Sequence, residues 1–71
     1  MDLELKKIVS YAERNDWKLD YFSKDSFIVS RPKLEDAQRK LSILKDLVNN
    51  KGFKIDVLPV DDFIIVNISK E

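Results

Sequence analysis

The chain has 71 residues with no Cys and no His, which excludes disulfides and the usual zinc sites as supports for so small a core. Thirteen basic residues balance thirteen acidic residues, so no overall charge would draw the protein to nucleic acid or to an anionic membrane. The length suits one domain, residues 1–71.

Apolar residues at helical spacing predict an amphipathic helix over residues 3–14. Leu5, Ile8 and Ala12 lie on one side of this helix, with charged residues on the other. Asp2 is placed to cap the N-terminus, and Asn15-Asp16 offers a left-handed exit.

A β-hairpin is expected after this helix. Trp17, Leu19 and Tyr21 alternate with polar residues, which is the period of a strand with two different faces. We expect these three side chains to face the helices, with Trp17 as a core anchor. Turn-forming residues 23–26 then lead into an apolar run that begins at Phe27.

The second half has the same order of elements. A longer helix is predicted over residues 33–50, with Pro32 in its first turn and Gly52 at its left-handed end. An alternating segment, 53–57, predicts the third strand. Turn-forming residues 59–62 precede a last apolar run that begins at Phe63.

The two halves resemble each other. Sliding the sequence until Trp17 falls on Phe53 also places Phe27 on Phe63 without a gap. This similarity indicates an internal duplication with repeats of about 1–32 and 33–71, and convergent patterning is the alternative. The predicted fold is α+β, a two-layer sandwich of order αββαββ with a four-stranded antiparallel sheet and both helices on one face.

One face of such a sheet has no helix to cover it. If Phe63 and Ile65 face the helices, alternate residues of the last strand point outward and form an apolar patch typical of a binding surface. The predicted interface consists of Phe22, Ile28, Leu58, Ile64, Val66 and Ile68. Shielding of this strand by long Lys side chains is the alternative.

We therefore predict a non-enzymatic interaction module, with a homodimer through the apolar face as the first expectation and another protein or a small ligand as alternatives. No residue set forms a catalytic motif, and one glycine cannot build a phosphate loop, so no cofactor is predicted. Asp61-Asp62 with the repeat counterpart Asp25 is more typical of turns than of a Mg²⁺ site.

Nucleic-acid binding through local basic patches is the second hypothesis. The basic residues are spread along the chain and interleaved with acidic ones, which weakens this hypothesis. Its candidate contacts are Lys18, Lys24, Arg31, Lys33, Arg39 and Lys40.

The chain is expected to be cytoplasmic and not in a membrane. Its longest apolar run, residues 63–66, is too short to cross a bilayer, and the N-terminal sequence lacks the apolar stretch of a signal peptide. The charge-rich composition with little Gly also suits a thermophile.

Overall fold

The computed structural model describes residues 2–70, which form two helices and a four-stranded antiparallel sheet. The strand order is β1-β2-β4-β3, so the second strand of each hairpin is central and the first strand is an edge. The elements in chain order are α1 Leu3–Arg14, β1 Lys18–Phe22, β2 Ser26–Pro32, α2 Ala37–Asn50, β3 Lys54–Val60 and β4 Phe63–Ser69.

Helix α1 has the predicted bounds, and local hydrogen bonds explain both ends. The Oδ1 atom of Asp2 accepts a 2.8 Å hydrogen bond from the backbone N–H of Glu4, which satisfies a donor that the first turn leaves unpaired. At the other end Asp16 has a φ of 68°, and the Trp17 N–H donates to the Ala12 carbonyl. This left-handed turn directs Trp17 into the core, where it is buried as predicted.

Helix α2 begins at Ala37, four residues later than predicted, and ends at Asn50 as predicted. Pro32 is the last residue of β2 because the chain remains attached to the sheet beyond it. The Lys33 N–H donates to the Asp62 carbonyl at 2.8 Å. Leu34, which lies between Pro32 and the start of α2, is exposed. Gly52 follows the helix with a φ of +79°, the left-handed conformation that favours glycine.

The core is a single cluster of buried apolar side chains from both helices, β2, β4 and the start of β1. Phe27 pairs with Ile68 and Val29 pairs with Val66 across the two central strands, so these four residues share a face. The buried apolar residues are Leu5, Ile8, Ala12, Trp17, Phe27, Val29, Ala37, Leu41, Leu44, Val48, Ile64, Val66 and Ile68.

The predicted orientation of β4 is therefore wrong. Ile64, Val66 and Ile68 were expected to point away from the helices, but they are at most 3% exposed and belong to the core. Phe63, which was expected to face the helices, is 48% exposed. The apolar residues of β4 alternate between its two faces as predicted, but each set lies on the face that was predicted for the other set.

The orientation of β4 follows from its continuous pairing with β3, where Val66 lies opposite the inward-facing Val57. The first hairpin differs from the second by a β-bulge. Leu19 pairs with Val29 while Tyr21 pairs with Ile28, so Asp20 is an extra residue on β1. The β3–β4 ladder is continuous and has no such residue. Because one extra residue reverses the face to which later residues point, Phe27 and Phe63 face opposite sides although they align without a gap. Tyr21 is moved to the outer face by the same bulge.

No helix within residues 2–70 is both long enough and apolar enough to span a membrane.

The orientation of β4 leads to a prediction about the stability of the fold. Ile68→Ala removes a fully buried side chain and is expected to lower the free energy of unfolding by about 2–5 kcal/mol. Ile43→Ala, at an exposed position of α2, is the matched control and should change it by less than about 1 kcal/mol. Urea denaturation measures both, and equal effects would contradict the assignment of Ile68 to the core.

Candidate interaction surface

The sheet face opposite the core carries a second set of apolar side chains. The pairing places Ile65 between Ser30 of β2 and Leu58 of β3. One step along the strands, Ile28 pairs with Tyr21 of β1. We call this set the open-face patch, and it consists of Tyr21, Ile28, Leu58, Val60, Phe63 and Ile65.

The open-face patch exposes large apolar side chains on one face of the sheet. Leu58 is 60% exposed, Tyr21 is 55% exposed, and Val60 and Phe63 are also exposed, while Ile28 and Ile65 are half-buried. Apolar surface gathered in this way makes the face a candidate interaction surface.

A shallow cleft of about 340 Å³ lies at the end of the patch beside the β3–β4 turn. Ser30, Val60, Phe63 and Ile65 line it, and the turn residues Asp61 and Asp62 complete the lining. Asp61 adopts a φ of 52°, which a short polar side chain tolerates better than a branched one, and this allows the tight two-residue turn. Within residues 2–70 neither carboxylate forms an ion pair, so the cleft joins an apolar floor to unpaired negative charge.

The six residues of the predicted interface do not lie on one surface. Ile28 and Leu58 lie on the open face. Phe22 is exposed, but it pairs with Phe27 and therefore lies at the sheet edge on the helix-facing side. Ile64, Val66 and Ile68 are core residues, as described above.

Four members of the open-face patch were not predicted: Tyr21, Val60, Phe63 and Ile65. Their alternation with polar or core residues was visible in the sequence. The bulge at Asp20 accounts for Tyr21, and a polar residue in an alternating strand does not by itself indicate a bulge. The other three positions follow from the continuous pairing of β4 with β3.

Most ion pairs within the described residues join elements on the helical side of the sheet. Asp2 pairs with Lys70 at 3.1 Å, Glu4 with Lys51 at 3.1 Å, and Asp16 with Lys40 at 2.8 Å. In each case a hydrogen bond from the lysine is the largest cause that lowers the pKa of the carboxyl below its ordinary value. The open face has the looser pair Lys54–Asp56, at 3.9 Å.

The six predicted nucleic-acid contacts do not form one basic patch. Lys18 is on the edge strand β1, and Lys24 and Lys33 lie beyond opposite ends of β2. Arg39 and Lys40 are in α2. The prediction that Arg31 contacts nucleic acid is wrong, because this residue is 4% exposed and cannot reach a phosphate from that position.

Arg31 is buried because the alternation of β2 points it inward with Phe27 and Val29. Its guanidinium lies over the ring of Trp17, 5.4 Å from the centroid, and Nη2 donates to Oδ1 of Asp36 at 3.3 Å. Nη1 donates to the Asn15 carbonyl at 3.4 Å. The guanidinium thus links the end of β2 to both helices, and its pairing with Asp36 compensates part of the cost of burying a charge.

No group of three or more His, Cys, Asp or Glu side chains that could hold a metal ion occurs within residues 2–70. The acidic residues considered from the sequence are separated: Asp25 precedes β2, while Asp61 and Asp62 precede β4, and the antiparallel pairing puts these points at opposite ends of the sheet.

No protein-family model matches this chain, and no curated protein matches it either. The functional proposals below are therefore based on the surface of the structure alone.

The lowered pKa of Asp2 leads to a prediction about the stability of the fold at low pH. A carboxyl whose pKa is lower in the folded than in the unfolded state stabilises the fold above its unfolded pKa, and this contribution is lost as the pH falls through the folded pKa. Lys70→Gln removes the main cause of the shift. When the pH is lowered below about 4, the melting temperature of the variant should therefore fall by less than that of the wild type.

Lys45→Gln is the control, because Lys45 is exposed and forms no ion pair within the described residues. It should behave as wild type in thermal melts at both pH values. An identical acid response of Lys70→Gln and wild type would show that the Asp2–Lys70 pair does not stabilise the fold.

Proposed function

We propose that this protein is a non-enzymatic interaction module that forms a homodimer through the open-face patch. The observation that supports the proposal is the exposure of Tyr21, Leu58 and Phe63 on one sheet face, opposite the face that forms the core. Burial of these side chains against a second copy would remove apolar surface from water and add to the stability of a small core.

The dimensions of the face suit this role. Three strands have seven residues and β1 has five, so at about 3.3 Å per residue and about 4.8 Å between neighbouring strands the sheet spans roughly 23 by 14 Å. Specific interfaces begin at about 600 Å² per partner, so side chains at the rim of the face must add to the contact. Two such faces can stack about 10 Å apart, as sheets do in β-sandwiches.

The charge of the chain also favours a second copy as the partner. The net charge is zero, so two copies do not repel each other overall. The open face and its turn carry both signs, with Lys18 on the β1 side and Asp61 and Asp62 at the β3–β4 turn. A two-fold arrangement can bring such groups of opposite charge together at the polar rim of an apolar contact.

We also propose that the chain arose by duplication of an αββ unit and that the two helices form one layer over the sheet. The observed order of elements, αββαββ, and the single core cluster support both points. In this view the bulge at Asp20 is a difference between the two copies. It gives β2 and β4 different residues on the outer face: polar Ser30 in the first, apolar Ile65 beside it in the second.

The dimer is tested with Leu58→Lys, which places an ammonium group within the proposed interface. Leu58 is exposed on an edge strand, so the fold should tolerate the change. Because the new charge loses its water when the faces meet, we expect the dissociation constant to rise at least about tenfold. Light scattering over a concentration series should give twice 8.3 kDa for wild type and 8.3 kDa for the variant.

Ile43→Lys is the matched control, since Ile43 has similar exposure but lies on α2. This control should remain a dimer. Wild-type protein that stays at 8.3 kDa at high concentration would exclude the proposal, and so would a Leu58→Lys variant with unchanged association.

Nucleic-acid binding remains the alternative proposal, supported by the exposed lysines alone. It requires an affinity that falls steeply as salt rises, because phosphate contacts release counterions. Absence of binding to DNA and RNA oligonucleotides at low salt would exclude it. Since Arg31 is buried, any such binding should survive removal of its charge as long as the protein folds.

A further inference from the structure

A second cleft, away from the open-face patch, lies where the end of α1 meets the first half of α2. It has a volume of about 320 Å³. That volume is at the lower end of the range for small-molecule sites. Aromatic and aliphatic side chains supply part of its wall, and groups that donate hydrogen bonds supply the rest. The lining residues are Tyr11, Asn15, Trp17, Arg39, Lys40 and Ile43.

The charges at this cleft do not balance. Lys40 bonds to Asp16 at 2.8 Å and lies 3.9 Å from Asp36, which also pairs with Arg31. Arg39 forms no ion pair within residues 2–70. Lys40, Arg31 and Arg39 therefore carry three positive charges, and two carboxylates are paired with them. The positive charge without a carboxylate partner is that of Arg39.

Trp17 supplies an independent observation. Its side chain lines the cleft and is 97% buried, being 3% exposed, yet its Nε1 atom has no hydrogen-bond partner among the described residues. Buried indole N–H groups normally find an acceptor. An unused donor therefore lies behind the wall of the cleft, where the side chains around it must shift before a ligand can reach it, and the unpaired guanidinium of Arg39 lies at the surface.

We propose that this cleft binds a small organic anion, a carboxylate or a phosphate monoester attached to a planar apolar body. Arg39 binds the anionic group, and the Trp17 N–H accompanies it as a donor after a small adjustment of the side chains around it. Tyr11 and Ile43 contact the apolar body. The site lies on the helical side of the protein and does not depend on the proposed dimer.

Trp17 is the only tryptophan, so one signal reports directly on this site. Wild-type protein labelled with ¹⁵N is titrated with benzoate, with phenyl phosphate and with uncharged benzyl alcohol, while the indole N–H resonance is followed by NMR. We expect saturable shifts with at least one of the two anions, and the stronger anion identifies the preferred group. Benzyl alcohol should bind at least about tenfold more weakly than that anion.

Arg39→Gln removes the unpaired charge at an exposed position and should weaken anion binding about tenfold without loss of the fold. Lys45→Gln, on the same helix but outside the cleft, is the control and should bind as wild type. The proposal is overturned if neither anion shifts the indole signal at millimolar concentration. Equal binding of benzyl alcohol, or equal binding by Arg39→Gln, would also overturn it.

Discussion

The structure depends on the direction in which the residues of β4 point. This central strand is apolar on both sides, with Ile64, Val66 and Ile68 on one face and Phe63 and Ile65 on the other. Only one of these sets can face the helices, because side chains alternate strictly along a strand. The set packed against the helices makes the fold, and the remaining set becomes a surface.

The bulge at Asp20 keeps the two hairpins compatible within one sheet. In β2 the inward set is Phe27, Val29 and Arg31, and the pairing with β4 matches it to Ile68, Val66 and Ile64. The extra residue in β1 allows Leu19 to stay inside while Tyr21 moves outside. A register slip of one residue in β4 would place Phe63 in the core and expose three buried side chains, so the observed register is strongly specified.

Arg31 lies near the end of β2, where the alternation of the strand points its side chain inward. Burial of this charge costs free energy. The chain meets this cost with the Trp17 ring and the Asn15 carbonyl, both from the connection between α1 and β1, and with the Asp36 carboxylate at the start of α2. The same cluster leaves the Trp17 N–H without an acceptor, and this links the packing of the core to the proposed anion site.

Much of the fold was predictable because its signals are local. The bounds of α1, the cap at Asp2, the left-handed Gly52 and the strand character of each hairpin follow from spacing and from residue conformations. The start of α2 was not predictable, because a bond between Lys33 and the distant Asp62 holds the chain to the sheet.

The candidate surface was only partly predictable for a related reason. Ile28 and Leu58 were assigned to the correct face, since each lies in a strand whose alternation is clear. For β4 the prediction supposed that Phe63 and Ile65 face the helices, whereas the pairing with β3 places Val66 and Ile68 opposite the inward-facing Val57 and Ile55. Burial of Arg31 was missed because charged residues at strand ends are usually solvated.

The two faces of β4 can be distinguished in one measurement, the effect of a soluble paramagnetic agent on isoleucine methyl signals in dilute and concentrated protein. Ile64 and Ile68 should be protected from the agent at every concentration because they belong to the core. Ile28 and Ile65 should be accessible in dilute protein and become protected as copies associate. Ile65 that stays accessible at high concentration, or Ile64 that is accessible in dilute protein, would contradict this account.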